Sequence, residues 1–158
     1  MNIFFDSSFF FPFIKIDVEK LSSIKLLKAF QSKKFSIIRS DLVIFEIAAK
    51  GTKYVNDNII SDEDLAKGIN SIINLENVKV IPFYFSEILN LATIFRKDHS
   101  DFIDCLTLAS AIIYADILIT LDDKLIDNIE KIWKDKIYEI NNEFKALTWV
   151  DFEKDFLR

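Results

Sequence analysis

This sequence is short of the residues that interrupt, cross-link or bind soft metals in a chain: two glycines, two prolines, one cysteine and one histidine in 158 residues. So little glycine and proline leaves no low-complexity segment, linker or internal repeat, and no glycine-rich loop to cradle a nucleotide phosphate. A lone cysteine, Cys105, precludes an intramolecular disulfide; a reducing compartment is compatible, and a cytoplasmic location is expected. With His99 as the only histidine, a histidine-rich zinc site is excluded, and serine or cysteine catalysis through a histidine base is disfavoured. Positive charge is also in deficit. The formal net charge of −5 argues against nucleic-acid binding by bulk electrostatics, although Lys25, Lys28, Lys33, Lys34, Arg39, Lys50, Lys53, Arg96 and Lys97 form local clusters that read as solvated helix ends or a basic rim. No apolar run approaches membrane-spanning length, so no membrane association is expected. The N-terminal 14 residues, cut by Asp6 and lacking a basic leading segment, do not read as a signal peptide.

What is present is apolar bulk. Hydrophobic residues make up 51% of the chain, 16 of them Phe, against 28% charged, a globular composition of a length that predicts one domain over residues 1–158. Strands are expected at 2–5, 35–38, 78–81, 117–119 (ending at Thr120) and 137–140. Helices are expected at 18–30, from Asp41 to about Ala49 with a stop near Gly51, from Ser61 to about Leu75, at 85–96, at 102–115 and from Asp122 to about Trp133. Ser61 to Asp64 and Thr148 to Asp151 have the form of capping boxes, the second opening a last short helix. Alternating strands and helices imply right-handed crossovers and an α/β fold: a three-layer α/β/α sandwich around a central parallel sheet of about five strands.

Against that background a few carboxylates stand out. Asp6 follows the first strand. Glu46 is surrounded by Leu42, Val43, Ile44, Phe45, Ile47, Ala48 and Ala49. Asp104 lies in the first turn of a helix that is apolar around most of its circumference, and Asp122 follows the strand that this helix feeds. Each has an ordinary alternative: a turn or cap for Asp6 and Asp122, an i,i+4 pair with Lys50 for Glu46, a capping box with Asp101 for Asp104. Together they point to the C-terminal edge of the sheet, where open α/β folds bind ligands. Carboxylates converging there would repel one another, a conflict that a hard divalent cation such as Mg²⁺ or Mn²⁺ resolves.

The same residues carry a family resemblance over nearly the whole chain. Ile3-Phe-Phe-Asp-Ser-Ser8, Ser40-Asp-Leu-Val-Ile-Phe-Glu46, Phe102-Ile-Asp-Cys-Leu-Thr-Leu-Ala-Ser-Ala111 and Leu118-Ile-Thr-Leu-Asp122 resemble, in order and spacing, the motifs of PIN domains, especially the VapC-like toxin ribonucleases. Cys105 stands where Ala is more usual, and the chain is somewhat longer than a typical toxin. The resemblance implies strand order 3-2-1-4-5 and an acidic pocket of Asp6, Glu46, Asp104 and Asp122 holding one or two Mg²⁺ or Mn²⁺ ions. It implies Ser7 and Thr120 as hydroxyls orienting those groups, with Asp101 and Asp123 as extra ligands or rim residues. The implied activity is metal-dependent hydrolysis of phosphodiester bonds in single-stranded RNA. A small antitoxin partner and a homodimer are expected, the dimer burying aromatic residues at Phe9, Phe10, Phe11, Phe13, Phe83, Tyr84 and Phe85.

Competing classes fit less well. A phospho-accepting signalling domain would have paired acids after strand one and an Asp after strand three, where Ile81-Pro82 stands. A haloacid-type phosphatase would have Asp-x-Asp where this chain has Asp6-Ser7-Ser8. A PIN-like scaffold that binds RNA or protein without cleaving, and a non-toxin RNA-processing nuclease, remain the alternatives.

Overall fold

The computed structural model describes residues 1–19 and 21–157, with the side chain of Ser23 outside the described set. Five parallel strands form its centre: β1 (Asn2–Phe5), β2 (Ser36–Ser40), β3 (Val78–Ile81), β4 (Ile117–Thr120) and β5 (Lys145–Thr148), in the order 3-2-1-4-5. In register, Ile3 of β1 lies between Ile37 of β2 and Ile117 of β4. The central strands are short and apolar because both faces are covered. Side chains alternate across the sheet, so Phe4, Ile38 and Leu118 enter one core while Ile3, Phe5, Ile37, Ile117 and Ile119 enter the other.

The first core is closed by α4 (Ser86–Phe95), α5 (Phe102–Tyr114), α6 (Asp123–Lys131) and α7 (Lys134–Ile140). The second is closed by a 3₁₀ helix (Ser7–Ile14), α1 (Ser23–Gln31), α2 (Leu42–Asn56), α3 (Asp62–Ile73) and α8 (Trp149–Phe156). This is the expected three-layer α/β/α arrangement and strand order. Among the described residues, no helix is long and apolar enough to cross a membrane.

Four local expectations are corrected. Residues 137–140 belong to helix α7, not to a strand, and the fifth strand lies at Lys145–Thr148. A four-residue run flanked by isoleucines three apart fits one helical turn as well as a strand, and only Ile137 of the two is buried. Helix α2 runs through Gly51 to Asn56. A helix-interior glycine costs only about 1 kcal/mol, and at Gly51 the missing side chain admits Leu65 of α3, whose Cδ1 takes the space a Cβ would need. The first helix begins at Ser23, and Val18 lies in the turn before it; Lys20, within the expected span, is outside the described residues. Finally, Phe9, Phe10 and Phe11 form no surface patch. The 3₁₀ helix turns them into the core, where Phe9 meets Phe5 edge-on at 5.3 Å and Phe10 meets Phe30 at 5.4 Å.

Candidate active site

Asp6 is the first residue beyond β1. Its backbone is extended and it caps the 3₁₀ helix, with Oδ1 accepting from the Ser7 N–H at 2.6 Å. Its Oδ2 accepts from the Ser8 hydroxyl at 3.2 Å and the Thr120 hydroxyl at 3.0 Å. Thr120 ends β4, the strand beside β1, and the Asp6 N–H donates to the Ile119 carbonyl there, so parallel pairing itself brings these two strand ends together. Burial nonetheless holds the Asp6 carboxyl above its usual range, outweighing the opposing pull of Thr120, Ser7, Ser8 and the Lys50 charge.

Glu46 sits one turn into α2 and faces the same edge. Its side chain is 12% exposed and its Oε1 lies 3.3 Å from Lys50 Nζ, the i,i+4 pair expected from sequence. Burial first, and the negative charge of Asp6 second, raise the Glu46 carboxyl, while Ser7 and Lys50 pull it down. The Lys50 ammonium also lies 5.5 Å above the Phe11 ring.

Asp104 occupies the first turn of α5. Asp101 caps that helix, its Oδ1 accepting from the Ile103 N–H at 2.8 Å and the Asp104 N–H at 3.4 Å. The reciprocal half of a capping box is replaced by another contact, for Asp104 Oδ2 instead lies 2.8 Å from His99 Nε2. Asn128 of α6 donates from its amide nitrogen to His99 Nδ1 at 3.1 Å. With Nδ1 accepting, the ring proton sits on Nε2 and is donated to Asp104. Burial raises the Asp104 carboxyl; the His99 bond opposes this, and the charges of Asp101 and Asp6 add to it.

Asp122 is engaged differently. It caps α6, with Oδ1 accepting from the Leu125 N–H at 2.9 Å, while its own N–H donates to Thr120 Oγ1 at 3.1 Å. Thr120 thus joins Asp6 and the Asp122 backbone through one hydroxyl. Asp101 and Asp123 are exposed at the starts of α5 and α6.

Asp6, Glu46 and Asp104 therefore form an electrostatically coupled group at the C-terminal edge of β1 and β4. Each is destabilised in its ionised form by burial, and Glu46 and Asp104 are destabilised further by Asp6. Positive charge introduced among them is favoured, and the donors are all oxygen, the ligand type of hard divalent cations. Among the described residues, no three Asp, Glu, His or Cys side chains are gathered into a ready metal cage. Sequence reading missed Ser8, His99 and Asn128 as members of this site. A histidine just before an acidic helix cap was a local signal for His99; Asn128, 29 residues away, had none.

The sequence profile of the PIN domain matches residues 3–132. No curated protein sequence matches this chain. Among solved structures, the chain is similar to a toxin-antitoxin complex from Klebsiella pneumoniae at 15% identity and a TM-score of 0.55, covering 82% of this chain and 92% of that one. It is also similar to VapBC2 from Rickettsia felis bound to a DNA fragment from their promoter, at 15% identity and a TM-score of 0.59, covering 94% of this chain and 99% of that one.

Proposed function

Because the chain belongs to the PIN domain family, whose members are generally nucleases and typically use divalent metals, we propose that it is a Mg²⁺- or Mn²⁺-dependent endoribonuclease acting on single-stranded RNA. The observation that supports this most directly is the group of three raised carboxyls, Asp6, Glu46 and Asp104, at one sheet edge. Asp6 and Asp104 would hold the ion, directly or through water, with Glu46 beside them and Asp122 joining at the expense of its cap. The bound ion supplies charge neutralisation for the phosphate and a lowered pKa for water.

The chain's own groups do the rest. Thr120, Ser8 and the Ser7 N–H fix the Asp6 carboxylate. Glu46, its carboxyl raised by burial and by the charge of Asp6, stands beside the Asp6 group where it can accept a proton from the attacking water. The Lys50 ammonium, half exposed beside Glu46, is placed to meet a phosphodiester oxygen.

The likeness to toxin-antitoxin structures supports the toxin half of a VapBC-type pair, with a small antitoxin as partner; a cytoplasmic location belongs to the proposal because the lone Cys105 is compatible with a reducing compartment. A homodimer through the exposed aromatic surface of Tyr84 and Phe85 belongs to the same proposal. One observation favours the alternative of a non-cleaving RNA- or protein-binding scaffold: the Asp122 carboxylate is already committed to capping α6. Incubating the protein with unstructured RNA and Mn²⁺, with and without EDTA, decides between them. Products that EDTA abolishes are expected, and intact RNA under both conditions selects the scaffold. An antitoxin-type reading frame directly upstream separates the toxin from a non-toxin processing nuclease.

A further inference from the structure

His99 lies outside the acidic motifs, yet its imidazole is built into the site, bonded on one side to Asp104 and on the other to Asn128. The His99 side chain is 4% exposed against 31% for Asp104, so the imidazole is the fixed partner and the carboxylate the one facing out. Its surroundings leave it little freedom. The ring meets Trp133 nearly edge-on at 6.0 Å and its Nδ1 accepts from Asn128 at 3.1 Å, while the backbone of His99 is held by its amide N–H donating to the Phe95 carbonyl at 3.1 Å and its carbonyl accepting from the Arg96 guanidinium at 2.9 Å. A buried imidazole needs partners for both ring nitrogens; what sets this one apart is that Nε2 is satisfied by Asp104, a carboxylate of the acidic site.

We propose that His99, oriented by Asn128, is a positioning residue for Asp104. It occupies Oδ2, fixes the rotation of the carboxylate, and leaves Oδ1 as the oxygen that Asp104 offers to a divalent cation. This rests on the nuclease reading of the site. The physical reason is lone-pair accounting. A carboxylate has two acceptor sites on each oxygen, and a 2.8 Å bond to a buried, immobile donor takes one of those on Oδ2 and sets the plane of the group. Oδ1, which bonds no side chain among the described residues, keeps both. Because Asn128 belongs to α6, the helix that Asp122 opens, the same contact ties the two acid-bearing elements α5 and α6 together.

The test is Mn²⁺ binding itself, read by titration with electron paramagnetic resonance of the free ion, beside kcat and KM on single-stranded RNA. Groups that orient metal ligands are typically worth about 10–100-fold in affinity, and a loss of that size is expected for His99→Ala. His99→Gln, whose amide nitrogen can reach the place of Nε2, should recover most of it, and Asn128→Ala should weaken binding in the same direction. The kcat should fall with KM for RNA unchanged. If near-ultraviolet circular dichroism shows His99→Ala unfolded, Asn128→Ala decides. Parent-like Mn²⁺ binding in the folded variants, or a Gln variant as weak as the Ala one, overturns the positioning role. A parent that binds no Mn²⁺ overturns the nuclease reading, and this inference with it.

Discussion

Asp104→Asn separates a carboxylate placed for cation binding from one that merely decorates a helix start. The substitution keeps shape and an oxygen acceptor for His99, so the 2.8 Å contact survives as a neutral bond. Losing its charge assistance should by itself cost about 1 kcal/mol, the difference between hydrogen bonds to charged and to neutral acceptors. For a chain of this length that corresponds to a fall of about 2–4 °C in Tm. Opposing this, burial and the charges of Asp101 and Asp6 already raise the Asp104 carboxyl despite the His99 bond, so the folded protein prefers this group neutral. The neutral amide removes that penalty.

Without metal, at neutral pH, the variant should therefore match or exceed the parent in Tm, with RNA cleavage reduced by no less than the roughly 100-fold expected for disturbing a metal ligand's surroundings. The pH dependence follows the same sign. A carboxyl raised in the folded state binds more protons folded than unfolded. Metal-free stability therefore falls as pH rises from the ordinary carboxylate range through the raised value, and is regained as pH falls. Asp6, Glu46 and Asp104 all contribute in this direction, so the parent's Tm in EDTA should rise on mild acidification, and the variant's should rise less. Mn²⁺ should raise the parent's Tm more than the variant's. A metal-free variant that melts several degrees below the parent at pH 7 would refute the reasoning, because Asp104 would then be a net stabilising helix-start residue.

Thr120→Val removes both the donor to Asp6 and the acceptor for the Asp122 N–H; a loss of about 1 kcal/mol by urea titration and reduced cleavage are expected, with Thr120→Ser restoring both. Gly68→Ala would set a Cβ 2.5 Å from the Phe13 carbonyl oxygen. Overpacking of this kind costs about 1–3 kcal/mol, more than the roughly 1 kcal/mol that alanine gains in a helix. A stabilised variant in thermal melts would show that the 3₁₀ segment yields freely. For the proposed dimer, the double substitution Tyr84→Asp and Phe85→Asp should give monomers in sedimentation at micromolar concentration, whereas an unaltered dimer moves the interface elsewhere.

What could be read from sequence is what nearby residues decide. Strands β1 and β3 stand where their four-residue apolar or β-branched runs placed them, and Ser61 and Thr148 cap helices by bonds to the N–H three residues on, at 3.0 and 3.2 Å. Alternating elements were enough to predict a layered α/β fold, whereas its strand order was implied only by the resemblance of the motifs to PIN domains. Short-range signals also failed in recognisable ways. The isoleucines at 137 and 140 satisfy a helix turn and a strand equally, and Gly51 stops a helix only when no neighbour packs against it.

Tertiary structure alone decided how the acids are used, because the contacts that tune them join residues far apart. The Thr120 bond to Asp6 spans 114 residues and exists because β1 and β4 pair side by side; Asn128 reaches His99 across 29 because α6 packs beside the turn before α5. Sequence determined that Asp6, Asp104 and Asp122 stand at element ends and that Glu46 stands inside a helix. Only the fold decided that three of them share a buried, mutually repelling environment while the fourth caps a helix, since burial and long-range charge depend on which chain segments meet.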